Sequence, residues 1–246
     1  MAEAPHYLEI NGYCPICEQS AKFIANGQWY RGALKCQSCD GGSIPRERAM
    51  AHILNREMPD WRHASIHECS PMDSGISRKM RKECESYIGS HYYSDHPFGC
   101  IVGNWRNENI EATTFPDKTF DIVITMDVTE HLYNPSAMFR DVWRTLKRGG
   151  VYLSTFPIRK YQVEAAKPRA VKRHDGSINF LINPPEYHGN PIDSNGALVT
   201  WDFGYEIHQL ITYWTPFSVE VVRFSDRHLG IVGEYTEVVI CRRNED

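Results

Sequence analysis

Ile122, Val123 and Ile124 follow one another inside FDIVITMDVTEHL, residues 120–132 of the chain. Successive side chains of a strand point to opposite faces, so three consecutive β-branched residues leave it no face for water. Such a strand belongs inside a parallel sheet covered on both sides. The flanking sequence agrees. Apolar segments at Ala64–Cys69, Tyr87–Tyr93, Phe98–Val102, Arg106–Ile110 and Val151–Phe156 are interleaved with helical stretches at Ile76–Ser86 and after Asn134. In the latter stretch Met138, Val142 and Leu146 form one apolar stripe flanked by Phe139 and Trp143. Asn134 reads as its N-cap, Pro135 as its first residue and Gly149-Gly150 as its end. Gly204–Trp214 reads as a late helix. Ser218–Phe224 and Tyr235–Arg242 read as a closing antiparallel hairpin at a sheet edge. The alternation predicts an α/β fold with a doubly wound, mostly parallel sheet.

The strand at residues 120–126 ends in Asp127, Glu130 and His131. Open α/β sheets keep their ligands at the carboxyl ends of strands, so these three are candidate site residues; capping of the next helix is the alternative reading. Residues 157–203 form an excursion of about 45 residues, too long for an ordinary connection. It carries His174 beside Asp175, and His188 beside Glu186 and Tyr187 in PPEYHGNPID. An imidazole titrates near neutrality, so His188 or His131, with Glu130, is expected to act as a general base or substrate-orienting group. Trp201 and Tyr205 fit equally as channel wall or core.

Cys14, Cys17, Cys36 and Cys39 make the pattern C-x2-C-x18-C-x2-C. Each pair puts two thiolates on a tight turn where both reach one ion, the spacing of a structural four-thiolate zinc site. Disulfides and free thiols are the alternatives. Residues 21–35 between the pairs read as a hairpin turning at Asn26-Gly27, which together with the knuckles makes a zinc ribbon. Ser43 and Pro45 then open a helix that ends before Pro59. The chain therefore divides into a head, residues 1–44, and a main domain, residues 45–246, with the excursion as its acceptor-side insertion. The other cysteines are scattered and read as buried thiols.

The formal net charge of −4 disfavours a large phosphate-tracking surface. Lys22, Arg31 and Lys35 are the few basic residues of the head. No apolar run is long enough to span a membrane, and MAEAPHYLEI lacks the features of a secretory leader. A soluble cytoplasmic protein is expected, with its oligomeric state open.

Residues 114–157 resemble the class I S-adenosylmethionine-dependent methyltransferases. The matching features are Phe115-Pro116-Asp117, Phe120-Asp121, Glu130-His131, Asn134-Pro135 and Leu146-Lys147-Arg148-Gly149-Gly150. The resemblance implies a seven-stranded sheet over residues 60–246 and S-adenosylmethionine as cofactor. It also implies a cofactor site around Glu68, Ser70 and Gly75 after the first strand, Glu108-Asn109 near the adenine, and Asp127. The chain departs from the family where Ser70, Pro71 and Met72 replace a glycine-rich loop, and where the second strand ends without an acid for the ribose. A cysteine-rich head also resembles those of some sugar C-methyltransferases and some ribosomal RNA methyltransferases. The expected acceptor is a small molecule or sugar-containing metabolite. RNA methylation with the ribbon gripping the substrate, and a non-catalytic zinc-ribbon interaction protein on the same scaffold, are the alternatives. Metal analysis of the purified protein should give about one zinc per chain, and Cys36→Ser should lose it; full zinc content and stability in that variant would refute the ligand set.

Overall fold

The computed structural model describes residues 7–190 and 192–244. Residues 1–6 of the expected head and Pro191 of the excursion lie outside the described residues.

Strands β1 (Tyr7–Cys14) and β2 (Gln19–Asn26) form an antiparallel hairpin whose turn is the first cysteine knuckle. The chain then passes through a short helix, α1 (Tyr30–Ala33), and returns as β3 (Lys35–Cys36) on the other side of β2. The expected tight hairpin at Asn26-Gly27 is thus replaced by a wider connection. Its reason is burial: Arg31 and Leu34 turn inward, where a surface hairpin would leave them in water. Helix α2 (Pro45–Glu57) follows with Pro45 in its first turn, but Ile44 rather than Ser43 takes the cap position. The Glu47 carboxylate accepts the Ile44 amide at 2.9 Å. The Ser43 hydroxyl is turned away to the cysteine sulfurs, 3.2 Å from Cys39 Sγ.

The main sheet is built from β4 (Ser65–Cys69), β5 (Ser86–His91), β6 (Ile101–Val102), β7 (Trp105–Asn107), β8 (Phe120–Met126) and β9 (Leu146–Thr155). Helix α3 (Gly75–Glu83) connects β4 to β5, and α4 (Pro135–Thr145) connects β8 to β9. The excursion holds three small antiparallel pairs: β10 (Ala166–Pro168) with β15 (Trp201–Phe203), β11 (Ala170–Lys172) with β12 (Ile178–Phe180), and β13 (Tyr187–His188) with β14 (Ala197–Leu198). Helix α5 (Ile207–Trp214), β16 (Ser218–Val222) and β17 (Val238–Arg242) complete the chain. The sheet has eight strands in the order β16-β17-β9-β8-β4-β5-β7-β6. The five from β9 to β7 are parallel, and β17, β16 and β6 are antiparallel to their neighbours. The expected seven-stranded sheet is present, extended by the two-residue β6.

Helix α4 begins as expected, with the Asn134 side chain accepting the Ala137 amide at 3.1 Å. It ends at Thr145 rather than at the glycines. Residues 147–150 instead bulge at the start of β9, where Phe120 pairs with Leu146 and Ile122 already pairs with Val151. Gly149 sits at φ +73°, and a Cβ on Gly150 would lie 2.9 Å from the Asp121 carbonyl oxygen. The glycines thus serve this bulge rather than a helix cap.

Alternate residues of the central strands serve two cores. Ile122, Ile124, Val151, Leu153, Val238 and Ile240 face α2 and the head, where Phe23, Leu34, Met50 and Leu54 join them. Val123, Tyr152, Val239 and Cys241 face α4 and α5. Both faces of the parallel region are dry, as the run at 122–124 demands. Head and sheet share one continuous apolar cluster. Among the described residues no helix is long and apolar enough to cross a membrane.

Ser74 and Gly75, where α3 begins, pack on α2. The Ser74 hydroxyl donates to Glu47 at 2.8 Å. Gly75 has φ +51°, and a Cβ there would lie 2.4 Å from the Glu47 carboxyl atoms. Gly75→Ala is therefore expected to cost about 2–4 kcal/mol, combining left-handed strain with overpacking. The urea midpoint measures it, and an unchanged midpoint would contradict the contact.

Candidate active site

Two cavities open at the carboxyl ends of the parallel strands. One, of about 380 Å³, is lined by Cys69, Ser70, His91, Glu108, Asn109 and Val128 among others. The other, of about 700 Å³, lies between Trp29 and Arg31 of the head with Arg46 of α2 on one side and the excursion (Arg159, Glu186, His188) on the other. Ser70, Asp127 and His131 belong to both linings. The sequence reading of Asp127 and His131 as residues at the carboxyl edge matches this position.

Asp127 follows β8 at φ +55°. Its carboxylate accepts from Arg31 Nη2 at 2.7 Å and from Arg46, and from the Thr155 hydroxyl at 3.2 Å. Burial pushes this carboxyl up, but Arg46 and Arg31 outweigh it and hold the group at about 2. Both arginines come from the N-terminal 57 residues, Arg31 from α1 and Arg46 from α2. Neither was singled out for the site by sequence reasoning, because nothing local in the sequence pairs them with a strand end far along the chain.

Glu130 and His131 sit on a tight helical turn immediately after β8, held by the excursion. The Thr200 amide donates to the Glu130 carbonyl at 2.8 Å, and the Thr200 hydroxyl to the Leu132 carbonyl at 2.6 Å. The same packing brings His188 over the turn. Glu130 Oε1 lies 3.5 Å from His188 Nδ1 and 3.7 Å from His131 Nε2, and the two imidazole rings are 5.2 Å apart, edge to face. The structure therefore gathers the residues expected to carry chemistry into one cluster. His174 is exposed, in the turn between β11 and β12. Trp201 and Tyr205 are absent from both linings.

The residues expected around a cofactor divide. Ser70, Glu108, Asn109 and Asp127 line the 380 Å³ cavity; Glu68 and Gly75 are not in its lining. Glu68 is buried, accepting from the Ser77 and Tyr87 hydroxyls, and burial pushes its carboxyl up to about 7 despite them. Ser70 takes φ +59°, the left-handed geometry that glycine commonly supplies in such loops. Glu108 is buried and accepts from Arg106 at 2.6 Å and from the Thr114 amide at 2.8 Å. At the end of β5, where an acid was sought, the cavity is lined by His91 and Tyr92. Burial pushes the His91 imidazole down to about 4, so it is neutral. The cavity is large enough for a nucleoside-sized ligand and has polar groups at intervals along an apolar wall.

The four knuckle cysteines converge beside Ser43. All four sulfurs lie within 4.8 Å of one another, with Cys14–Cys39 at 3.5 Å and Cys17–Cys36 at 3.9 Å. A tetrahedral ion with metal–sulfur bonds of about 2.3 Å separates its ligands by about 3.8 Å, so the set fits. The thiols are free rather than disulfide-bonded. Hydrogen bonds from Cys36 and Cys39 hold Cys14 low, while burial and the Cys14 sulfur push Cys17 up to about 11. Sulfurs this crowded do not all ionise until a cation joins them.

The sheet order and the position of the site define the fold of the class I S-adenosylmethionine-dependent methyltransferases. Residues 73–154 match the family model described as a methyltransferase domain. No curated protein matches the sequence. Among solved structures, an S-adenosylmethionine-dependent methyltransferase from Mesorhizobium loti is 15% identical with a TM-score of 0.52, covering 79% of this chain and 98% of that one. A chain of a Haloferax volcanii complex between a methyltransferase and a methyltransferase activator is 10% identical with a TM-score of 0.51, covering 81% and 91%. The Burkholderia thailandensis 1,6-didemethyltoxoflavin-N1-methyltransferase, solved with bound 1,6-didemethyltoxoflavin and S-adenosylhomocysteine, is 11% identical with a TM-score of 0.50, covering 81% and 78%.

Asp127→Asn keeps the shape and tolerates the left-handed backbone while removing the charge between two arginines. A carboxyl held at about 2 instead of 3.8 stabilises the fold by about 2 kcal/mol above the ordinary carboxylate range, and the contribution disappears as pH falls toward 2. The variant should therefore be less stable by about 2–4 kcal/mol near pH 7, and the gap should narrow below about pH 4. Urea unfolding at several pH values measures both; a gap independent of pH would contradict the ion pairing.

Proposed function

We propose that the protein methylates a small polar acceptor, such as a sugar-containing metabolite, using S-adenosylmethionine bound in the 380 Å³ cavity. The observation carrying this reading is the pair of cavities sharing Asp127, Ser70 and His131 at the carboxyl edge of the sheet. One lies at the carboxyl ends of the parallel strands, where open α/β sheets keep their ligands. The other is bounded by the head and the excursion and is of a size for a metabolite. S-adenosylmethionine, when bound, supplies a methyl group activated by its sulfonium. On this reading Ser70, His91, Glu108, Asn109 and Asp127 hold the cofactor, and Glu68 and Gly75 support the loop from behind. Glu130, His131 and His188 face the acceptor, with an imidazole as general base or orienting group. The main work of the remaining residues is alignment and exclusion of water.

The alternative of RNA as acceptor draws less support. Arg31, Arg46 and Arg159, the arginines lining the larger cavity, are each paired with a carboxylate of this chain. The relative from Burkholderia thailandensis acts on a small heterocycle, which accords with the metabolite reading. The cysteine cluster is read as a structural zinc site, because four protein ligands leave no open position.

Calorimetric titration with S-adenosylhomocysteine should give one site per chain. Asn109→Ala should weaken it about tenfold, the value of one good hydrogen bond. Absence of binding at millimolar ligand would overturn the assignment. Labelled methyl transfer to RNA, with none to nucleotide sugars or other small acceptors, would overturn the acceptor class.

A further inference from the structure

Glu130 is about 1% exposed, and neither of its carboxylate oxygens has a hydrogen-bond partner among the described residues. A buried carboxylate left this way is costly and calls for a cation. Two imidazoles face it, and their outer hydrogen bonds define which atoms they present. His131 Nδ1 lies 2.9 Å from the Leu198 carbonyl oxygen. A carbonyl only accepts, so Nδ1 carries the hydrogen and Nε2 turns its lone pair to Glu130. His188 Nε2 lies 3.1 Å from Glu186 Oε1. Glu186 is in turn held by Arg159 at 2.6 Å and Arg169 at 3.3 Å, so it is the acceptor, and in the neutral imidazole His188 Nδ1 presents its lone pair to Glu130. With both rings neutral, three lone-pair atoms thus converge, all within 4.8 Å of one another.

We propose that Glu130, His131 and His188 bind a divalent first-row transition-metal ion beside the wall shared by the two cavities. The separations of 3.5 and 3.7 Å are long for hydrogen bonds. They suit ligands on a common ion, which at bond lengths of about 2.1 Å stand about 3.4 Å apart in tetrahedral geometry. Each imidazole gives its other nitrogen to a carboxylate or a backbone carbonyl, the outer-shell arrangement that fixes metal-binding histidines. Two imidazoles and one carboxylate suit manganese, iron, cobalt, nickel or zinc better than magnesium or calcium. Three protein ligands leave positions open, and His131 and His188 both line the larger cavity. The open positions would take the oxygen of a hydroxyl- or carboxylate-bearing acceptor. That last role rests on the methyl-transfer reading; the ion site itself does not. With the ion in place both imidazoles orient the acceptor and neither is free to act as a base.

The test uses the full-length protein with its cysteine site loaded with zinc. Mn²⁺ is titrated in and the free ion read by electron paramagnetic resonance, with S-adenosylhomocysteine calorimetry on the same samples. The expectation is about one Mn²⁺ per chain, with affinity falling about tenfold or more in Glu130→Gln while zinc content and cofactor affinity are kept. Should Glu130→Gln not fold, His188→Asn, at a half-buried position, is read in its place. Wild-type protein that binds no more Mn²⁺ or Co²⁺ than these variants overturns the site and assigns the cation role to a proton on imidazole. Metal bound without any cofactor binding would leave this site standing and refute the methyl-transfer reading; the reverse result would refute only the metal.

Discussion

The Asp127 carboxylate is the point at which the parts of this molecule are joined. It ends the most buried strand of the sheet, and its two charge partners come from the N-terminal segment. Two guanidinium groups brought toward the interior are stabilised only if negative charge meets them there, and desolvation would otherwise exceed any Coulombic gain. The pairing fixes where α1 and α2 stand relative to the carboxyl edge. The larger cavity follows from that placement, because Trp29 and Arg31 of the head and Arg46 of α2 form one side of it. The head is therefore part of the wall of the candidate site and not an appendage beyond it.

A second tie runs through Glu47. This one side chain accepts from the Ile44 amide at the start of α2 and from the Ser74 hydroxyl before α3. Gly75 passes so close to it that a Cβ there would displace the Glu47 carboxylate. The loop after β4 is thus positioned by the neighbouring helix and by the left-handed Ser70, without the usual run of glycines. The departure from the family pattern has a structural counterpart: a loop of larger residues takes its own path because α2 supports it.

What could be read from the sequence was whatever depends on local periodicity or short spacing. The run at residues 122–124, the stripe on α4 with its Asn134 cap, and the paired cysteines each fix their geometry within a few residues. The strand at residues 7–14 was not read, since its buried positions, Ile10 and Cys14, give a weak alternation. The glycines at 149–150 were assigned to a helix end because their bulge depends on a pairing with Asp121 that no local pattern reveals. The chemistry-bearing residues divide in the same way. Asp127, Glu130 and His131 announce themselves by following a buried strand. His188 was found only by its place on an overlong excursion. His91, Arg31 and Arg46 reach the cavities through tertiary contacts, and sequence offered at most an imidazole where an acid was expected.

Charge balance connects the cysteine cluster to the same core. Arg48 is fully buried, yet its hydrogen bonds run to the carbonyls of Ser43, Leu34 and Gly230 and to the Ser43 hydroxyl, and its guanidinium lies 4.5 Å from the Phe23 ring centre. Burial lowers its proton affinity to about 10, so it stays charged near neutrality. Carbonyls and a ring face solvate a cation, but they do not neutralise it. Four thiolates around one divalent ion carry a net double negative charge, and the Ser43 hydroxyl touches both this cluster and Arg48. The proposed zinc centre would thus add to the negative charge that Glu47 sets near Arg48, and Arg48 would in turn offset the cost of holding four thiolates together. On that account metal binding and the packing of α2 against the sheet are one equilibrium. Loss of the ion would remove negative charge from beside Arg48 in the core that also supports the loop after β4, so the proposed metal centre and the proposed cofactor cavity would be thermodynamically coupled although no ligand of one belongs to the other.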